Sequence, residues 1–484
     1  MNEIIRFFCE QDSTWSLCTL PFMMAFIVFF AIYLLLQRSS RTAMMAYVVA
    51  FSLFFAYKAN GILMVLLPLT ALLSWWLTRL MSNAGTKAQQ KFLLTLTILI
   101  DLAPLCYYKY TNFSISTVNA IFGSNFALQD IFLPVGISFY TFQAISYSID
   151  VYKKKFTLDT SLLEYFFYIT FFPLLMAGPI TRAETLIPQL KQERKITDVM
   201  VYGGLWLIII GLLKKGLISD YIAQYNNWIF DDPMGYSGFE NMMGILGFTL
   251  QIYCDFSGYS DMSIGIAAVM GFQLKENFNS PYQSLNVGEF WHRWHIALST
   301  WFRDYVYIPL GGNRKGKLRT YFNNFVTMLV SGLWHGASWM FVFWGALHGI
   351  ALVINKLCKG WLDRLPNTWY VRFAAWLITF VFINFSWVFF RAHDMQTAWQ
   401  IINHSIADFS WDYLPPFVFA RPIWMLFVML GFVLHSIRKT DADWLCQRFI
   451  NSHWLVKLAV FVIAIQLVVT FRSDTPQPFI YAQF

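Results

Sequence analysis

The chain has 484 residues, of which 35 are Lys or Arg and 27 are Asp or Glu, so 13% are charged, where an ordinary soluble protein has about a quarter. With 57% hydrophobic and 19% aromatic residues, it has too little polar material to clothe a soluble surface, and disordered, collagen-like and disulfide-stapled classes are excluded as well. Charge-poor stretches of about twenty residues recur along the whole length, which reads as an all-α polytopic membrane protein. The net charge of +8 sits in short basic clusters between apolar runs, the pattern of cytoplasmic loops rather than of a nucleic-acid surface. The six cysteines form no CxxC pair, so zinc and dithiol chemistry find no support and no metal is expected.

Met1 to Thr14 carry Glu3, Glu10 and Asp12 against Arg6, the wrong sign for the start of a signal peptide. A first span is predicted over Leu17–Leu36. Arg38 and Arg41 follow it, which puts the N-terminus outside and the first loop inside. Spans follow at Thr42–Tyr57, Ile62–Thr78, Phe92–Tyr108 and Ile131–Ile149, the last closed by Lys153, Lys154 and Lys155. Shorter, Gly-rich candidates are Leu162–Ala177, Val201–Leu213 (ending at Lys214 and Lys215), Met242–Tyr253 and Met262–Phe272. Towards the C-terminus, spans are expected from Arg372 to Phe390, over Pro422–Ile437 and over Leu458–Thr470, with Arg438 inside and the tail Phe471–Phe484 outside. No repeat or linker divides the chain, which reads as one domain over 1–484.

One stretch departs from the simple pattern. Basic clusters at Arg314–Arg319 and Lys356–Lys359 both belong in the cytoplasm, yet only about 36 residues without Lys, Arg, Asp or Glu (Thr320–Asn355) separate them, where two full spans need roughly 40. The segment reads as a tight or re-entrant hairpin with its tip at Ser331–Gly336, which places His335 deep in the membrane. An ionisable residue at that depth is a functional hypothesis by default. His335 is flanked by Trp334 and by Gly336, which permits close approach of backbone or substrate; the competing reading is a histidine bonded to a backbone carbonyl.

A second cluster runs Glu289-Phe290-Trp291-His292-Arg293-Trp294-His295 and on to Trp301-Phe302-Arg303-Asp304-Tyr305. At helical spacing Glu289, His292 and His295 lie near one face, and the tryptophans suit an interface helix or an aromatic cavity. His292 reads as a surface residue. His295 opens the apolar run Ile296-Ala297-Leu298 and is expected to point inward. Asp255, Ser257 and Asp261 lie in apolar surroundings, where they hold an acceptor, polarise a histidine or, the preferred reading, cap a broken helix. His348 reads as structural.

No GxSxG elbow, P-loop or dinucleotide fingerprint is present. Histidine without a Ser or Cys partner suggests direct general-base catalysis, in which the imidazole takes a proton from an acceptor hydroxyl and the oxygen attacks an activated acyl group such as a thioester. A transporter or flippase without chemistry is the reading from another class, weakened because the buried polar groups centre on two histidines rather than on opposed carboxylate–arginine pairs.

Four stretches resemble a known family: Leu133-Pro134-Val135-Gly136-Ile137-Ser138-Phe139-Tyr140-Thr141-Phe142-Gln143; Met176-Ala177-Gly178-Pro179-Ile180; Asp255-Phe256-Ser257-Gly258-Tyr259-Ser260-Asp261 together with Phe290–His295; and Gly332-Leu333-Trp334-His335-Gly336-Ala337. In family order over about residues 130–355, they resemble the membrane-bound O-acyltransferases (MBOAT), in particular the alginate O-acetyltransferase branch. The resemblance implies a ring of about 11–13 tilted helices with re-entrant segments around a through-membrane tunnel. It also implies His335 as the catalytic histidine, His295 as a second functional histidine, and Asp255, Ser257, Trp294, Trp334 and Arg303 as candidate tunnel residues. The implied reaction passes an acetyl group from cytoplasmic acetyl-CoA, with no permanently bound cofactor, to a periplasmic SGNH-type partner that modifies an exported polysaccharide, alginate- or cellulose-like, at the bacterial inner membrane. Peptidoglycan O-acetylation and D-alanyl transfer are the alternatives within the same fold. The tail Pro478-Phe479-Ile480-Tyr481-Ala482-Gln483-Phe484 resembles an aromatic C-terminal motif whose tyrosine is proposed to carry the acyl group, although Ala482 stands where an aromatic is expected; Tyr481 is the candidate carrier.

Overall fold

The structure is a computed structural model that describes residues 15–156, 159–192, 195–472, 477 and 479–482. Among the described residues there is no strand, and every regular element is helical. The chain divides into two compact units, Met1–Gly204 with Ser263–Lys275 and Leu205–Met262 with Glu276–Phe484, a division that no linker or composition shift announces.

The first unit contains α1 (Leu20–Ser39), α2 (Arg41–Asn60), α3 (Leu66–Asn83), α4 (Lys87–Leu105), α5 (Thr111–Phe122), α6 (Ile137–Tyr152), α7 (Leu162–Thr170), the single turn α8 (Phe172–Leu175) and α9 (Ala183–Lys191). Its two motif stretches are turn chemistry. Asn60 accepts from the Val135 N–H at 2.6 Å and donates to the Val135 carbonyl at 3.3 Å. Gly136 then turns the chain into α6 with φ 85°, a conformation that a side chain strains. The span expected over Leu162–Ala177 is broken at Phe171, because Pro173 in the first turn of α8 has no N–H to continue the ladder. The Pro173 carbonyl accepts instead from the Ser263 hydroxyl at 2.5 Å.

The chain continues as α10 (Asp198–Leu212), a π-helical turn Leu213–Ser219, α11 (Asp220–Asp231) and the 32-residue α12 (Gly238–Val269). The sequence reading placed two spans and a polar break where α12 runs without interruption, so Asp255, Ser257 and Asp261 cap nothing: they project from the interior of a helix. In the second unit the packing of α10 on α12 is set by glycine. A Cβ on Gly211 would stand 2.5 Å from the Gly258 carbonyl oxygen, and one on Gly258 would stand 2.8 Å from the Gly211 oxygen. Small residues at such a crossing let the backbones touch. That contact, continued by the wider π turn, lays Lys214 and Lys215 against the polar face of α12.

Next come α13 (Val287–Arg293), α14 (Ile296–Phe302), α15 (Lys317–His335), α16 (Trp339–Leu362), α17 (Trp369–Arg391), α18 (Met395–Ala407), α19 (Leu414–Ala420), α20 (Pro422–His435), α21 (Lys439–Ile450) and α22 (Trp454–Thr470). The expected hairpin exists, but its arms are full helices of 19 and 24 residues, and the turn is Gly336–Ser338 rather than Ser331–Gly336. Gly332 does not break α15; its missing side chain lets α16 approach, since a Cβ there would meet the Phe341 carbonyl oxygen at 2.3 Å and Gly345 Cα at 3.0 Å. By length and composition six described helical stretches suit a membrane crossing, or eight if each sharply bent pair (Trp411–Ala420 with Pro422–His435, Lys439–Ile450 with Trp454–Thr470) counts as one span. The architecture is the all-α polytopic one expected, and short helices such as α7 and α9 and the merged α12 stand where separate spans were anticipated.

The α15–α16 contact yields a stability prediction. Gly332→Ala sets a methyl group against immovable backbone and is expected to cost about 1–3 kcal/mol, read as a lower melting midpoint of the detergent-solubilised protein. Gly360→Ala, where a Cβ meets nothing within 4 Å, leaves the midpoint unchanged or raises it.

Candidate active site

His335 is the last residue of α15 and is 2% exposed. Four aromatic rings surround its imidazole: Trp334 at 5.0 Å between ring centroids, Trp344 at 5.1 Å, Tyr481 at 5.3 Å and Phe390 at 5.5 Å. Trp344 comes from α16 and Phe390 from α17, so the hairpin and its neighbour build the enclosure. Trp344 is positioned by a buried polar chain beneath it. His348, 4.7 Å from Trp344 between centroids, has both nitrogens engaged: Nδ1 accepts from the Trp291 indole N–H at 3.3 Å and Nε2 lies 3.1 Å from the Ser386 hydroxyl. His348 thus packs the site, in keeping with its structural reading.

His295 does not share a helix face with Glu289 and His292. The chain leaves helical geometry at Trp294, and His295 is the N-cap of α14 with φ 42°, an uncommon conformation for a residue with a Cβ. His292 is exposed and Glu289 pairs with Arg293 at 2.8 Å. His295 itself points inward, fully buried. Its Nδ1 lies 3.1 Å from Asn277 Oδ1. That atom is the amide oxygen, because it also accepts from the Ala297 N–H at 3.2 Å, while Asn277 Nδ2 donates to Ser260 at 3.1 Å. Nδ1 of His295 therefore carries the proton, and the neutral ring presents a bare lone pair on Nε2, which has no hydrogen-bond partner among the described residues. A buried acceptor left unpaired costs about 1–3 kcal/mol and marks a place where a proton donor belongs.

The two histidines share neighbours. Trp334 lies 6.2 Å from His295 between centroids on one side. On the other, Phe256 of α12 lies 4.6 Å from His295 and 4.4 Å from Tyr481. Tyr481 thus sits in the same pocket as both imidazoles. Its hydroxyl is buried and completes no hydrogen bond among the described residues, although the Trp294 indole is close enough to act on it.

The other expected tunnel residues divide. Trp294 and Trp334 belong to the pocket wall. Ser257 is buried on α12. Asp255 is an ion-pair partner: its Oδ1 lies 2.5 Å from Lys215 Nζ, and Lys215 also pairs with Asp220 at 2.8 Å. Lys214 pairs with Asp261 at 2.7 Å. Two readings are corrected: the helical stretch Asp198–Asp231 runs on through Lys214 and Lys215 and does not end there, and these opposed pairs show that buried polar groups do not centre on histidines alone. Arg303 lies outside the aromatic enclosure, on the π turn Arg303–Tyr307, exposed and paired with Asp304 at 2.8 Å. Of the tail motif, Pro478, Gln483 and Phe484 lie outside the described residues. Sequence reasoning missed Asn277, Trp344, Phe390 and Phe256 as site residues. Lys215 carries a signal, a cation amid apolar residues, which hydropathy alone takes as the end of a span.

The MBOAT family model, that of the membrane-bound O-acyltransferases, matches residues 158–393, and the chain belongs to this family: it is a multi-pass membrane acyltransferase. It is 38% identical over 391 residues to a probable alginate O-acetylase of Pseudomonas aeruginosa, covering 80% of this chain and 73% of the relative. It is 35% identical over 411 residues to a peptidoglycan O-acetyltransferase of Helicobacter pylori, covering 79% and 78%. To a teichoic acid D-alanyltransferase of Bacillus subtilis it is 29% identical over 273 residues, covering 53% and 68%.

The Asn277 contact gives a prediction. Asn277→Ala frees the His295 ring to rotate or change tautomer and is expected to slow acyl transfer about tenfold to a hundredfold, measured as rate per folded protein. Asn277→Asp, which keeps the acceptor oxygens, retains more of the rate.

Proposed function

We propose that this acyltransferase takes an acetyl group from cytoplasmic acetyl-CoA, moves it across the inner membrane and delivers it for O-acetylation of an exported polysaccharide through a periplasmic SGNH-type partner. In this reading both termini are periplasmic and the basic clusters face the cytoplasm. The observation that carries the chemistry is the Tyr481 ring 5.3 Å from His335, with its buried hydroxyl completing no hydrogen bond among the described residues.

The step balances as follows. His335 accepts the proton of the Tyr481 hydroxyl, and the phenolate oxygen attacks the thioester carbonyl. The tetrahedral intermediate expels the CoA thiolate, and the proton on His335 passes to that thiolate. The products are O-acetyl-Tyr481 and CoA. An aryl ester remains an activated acyl group, so a serine hydroxyl of the partner attacks it and returns tyrosine. With its lone pair on Nε2, His295 is a proton acceptor in the pocket, suited to hold or relay a proton and not to stabilise an oxyanion. The aromatic wall excludes water that would otherwise hydrolyse the donor.

Alginate- or cellulose-like polymer is the favoured acceptor class, supported by the alginate relatives. Peptidoglycan is the second reading, favoured by a relative of similar identity and coverage. D-alanyl transfer has support over a smaller share of the chain.

The test is incubation of the purified protein with isotopically labelled acetyl-CoA, followed by peptide mapping. Label is expected on Tyr481. His335→Ala is expected to lower labelling at least about a hundredfold, and Tyr481→Phe, which keeps the ring and removes only the hydroxyl, to abolish labelling and polymer acetylation at normal protein level. Persistent acetylation in cells carrying His335→Ala overturns the assignment; normal acetylation with Tyr481→Phe overturns the carrier.

A further inference from the structure

The tail reaches His335 because something holds it there, and the holding groups are buried. Asp255 is 1% exposed and divides its two oxygens: Oδ1 meets the Lys215 ammonium at 2.5 Å, and Oδ2 accepts the backbone N–H of Ile480 at 2.8 Å. Lys215, 4% exposed, also donates to the Gln477 carbonyl at 3.3 Å. Asn227, itself bonded by Arg391 at 2.9 Å, donates to Gln477 Oε1 at 3.2 Å. Arg472, just beyond α22, acts on Asp220, the second carboxylate of Lys215. The ring of Phe479 lies 5.3 Å from Tyr259 and 5.7 Å from Phe256, and the Ile480 side chain is buried. Backbone is thus gripped on both sides of Phe479, and the last grip falls one residue before Tyr481.

We propose that the buried Lys215–Asp255 pair is a docking clamp for the C-terminal tail, and that Asp255 and Lys215 are positioning residues that set the Tyr481 hydroxyl against His335 for acyl loading. The proposal deepens the acyl-carrier reading and rests on it. A purely structural ion pair needs only its own two members, and Lys215 already has Asp220. What Asp255 adds is an oxygen for a tail N–H, and an N–H bond to a buried carboxylate is of the stronger, charge-assisted kind. The clamp holds main chain rather than side chain, so it fixes where Tyr481 sits without contacting the reacting atoms.

The experiment uses the full chain with Phe479→p-benzoylphenylalanine, a photo-crosslinker that leaves Tyr481 in place. Two quantities are read in each sample: the crosslink yield to α12 and the rate of acetyl loading onto Tyr481 from labelled acetyl-CoA. Ile480→Pro removes the N–H and leaves the ion pair intact, so a merely structural role of Asp255 is not disturbed, and Ile480→Ala, which keeps the N–H and truncates the buried side chain, is the control for lost packing. It is expected to lower both readouts about tenfold with an unchanged yield of monodisperse protein. Asp255→Ala lowers them further, and Asp255→Asn, which retains an acceptor oxygen, restores part of the crosslink. The clamp is overturned if Ile480→Pro crosslinks and loads like its parent, or if crosslinking falls while loading does not. If the parent takes no label on Tyr481, the carrier reading fails by itself, and the crosslink still decides whether the clamp docks the tail.

Discussion

A lysine and an aspartate that neutralise each other inside an apolar helix bundle are the contact on which the candidate site depends. Bringing either charge out of water alone costs several kcal/mol. Lys215 and Asp255 therefore persist only because the glycine contact between α10 and α12 lets the two backbones touch and the π turn carries the ammonium to the carboxylate. With the pair in place, one carboxylate oxygen is left to bond the backbone of a segment more than two hundred residues further along the chain. The tail, the aromatic enclosure and the two histidines then meet in one pocket.

The division of labour in that pocket follows from which groups are satisfied. His348 has both nitrogens bonded and can only pack. His295 has one nitrogen fixed by an amide oxygen and one without a partner among the described residues. Tyr481 has a buried hydroxyl with no completed bond among the described residues. Buried polar groups are normally paired; among the described residues the exceptions here include the indole N–H groups of Trp294 and Trp344 as well as His295 Nε2 and the Tyr481 hydroxyl, and the last two flank Phe256 and belong to residues already singled out for chemistry. The high aromatic content has the same origin: apolar rings enclose the imidazoles and offer few competing hydrogen-bond partners.

The family resemblance read from four short stretches covers two kinds of residue. The stretches around Gly136 and Gly178 hold turns of the first unit: Gly136 occupies a positive-φ position, and a side chain at Gly178 would strike the Leu174 backbone and the Ser263 hydroxyl. The stretches around Asp255, His295 and His335 form the pocket. A motif alone does not tell one kind from the other, since both are sites where a substitution is costly.

Composition and hydropathy determined by themselves that this is an all-helical membrane chain, because backbone in lipid must satisfy its own hydrogen bonds and too few charges exist to cover a soluble surface. Spacing also singled out His335 and His295, since an ionisable group in an apolar run is visible locally, while Tyr481 was marked only by the resemblance of the tail to a family motif. The helix boundaries were less legible: Gly332 reads as a breaker in one dimension and is a contact in three, and the DFSGYSD stretch looks like a polar break when its carboxylates have lysine partners some forty residues away. Only the tertiary structure decided that Asp255 binds Lys215 and the tail, that Asn277 sets the His295 tautomer, and that Trp344, Phe390 and Phe256 enclose the histidines. Each of these is a pairing between distant parts of the chain, and a sequence records what a residue is but not which remote residue neutralises, bonds or covers it.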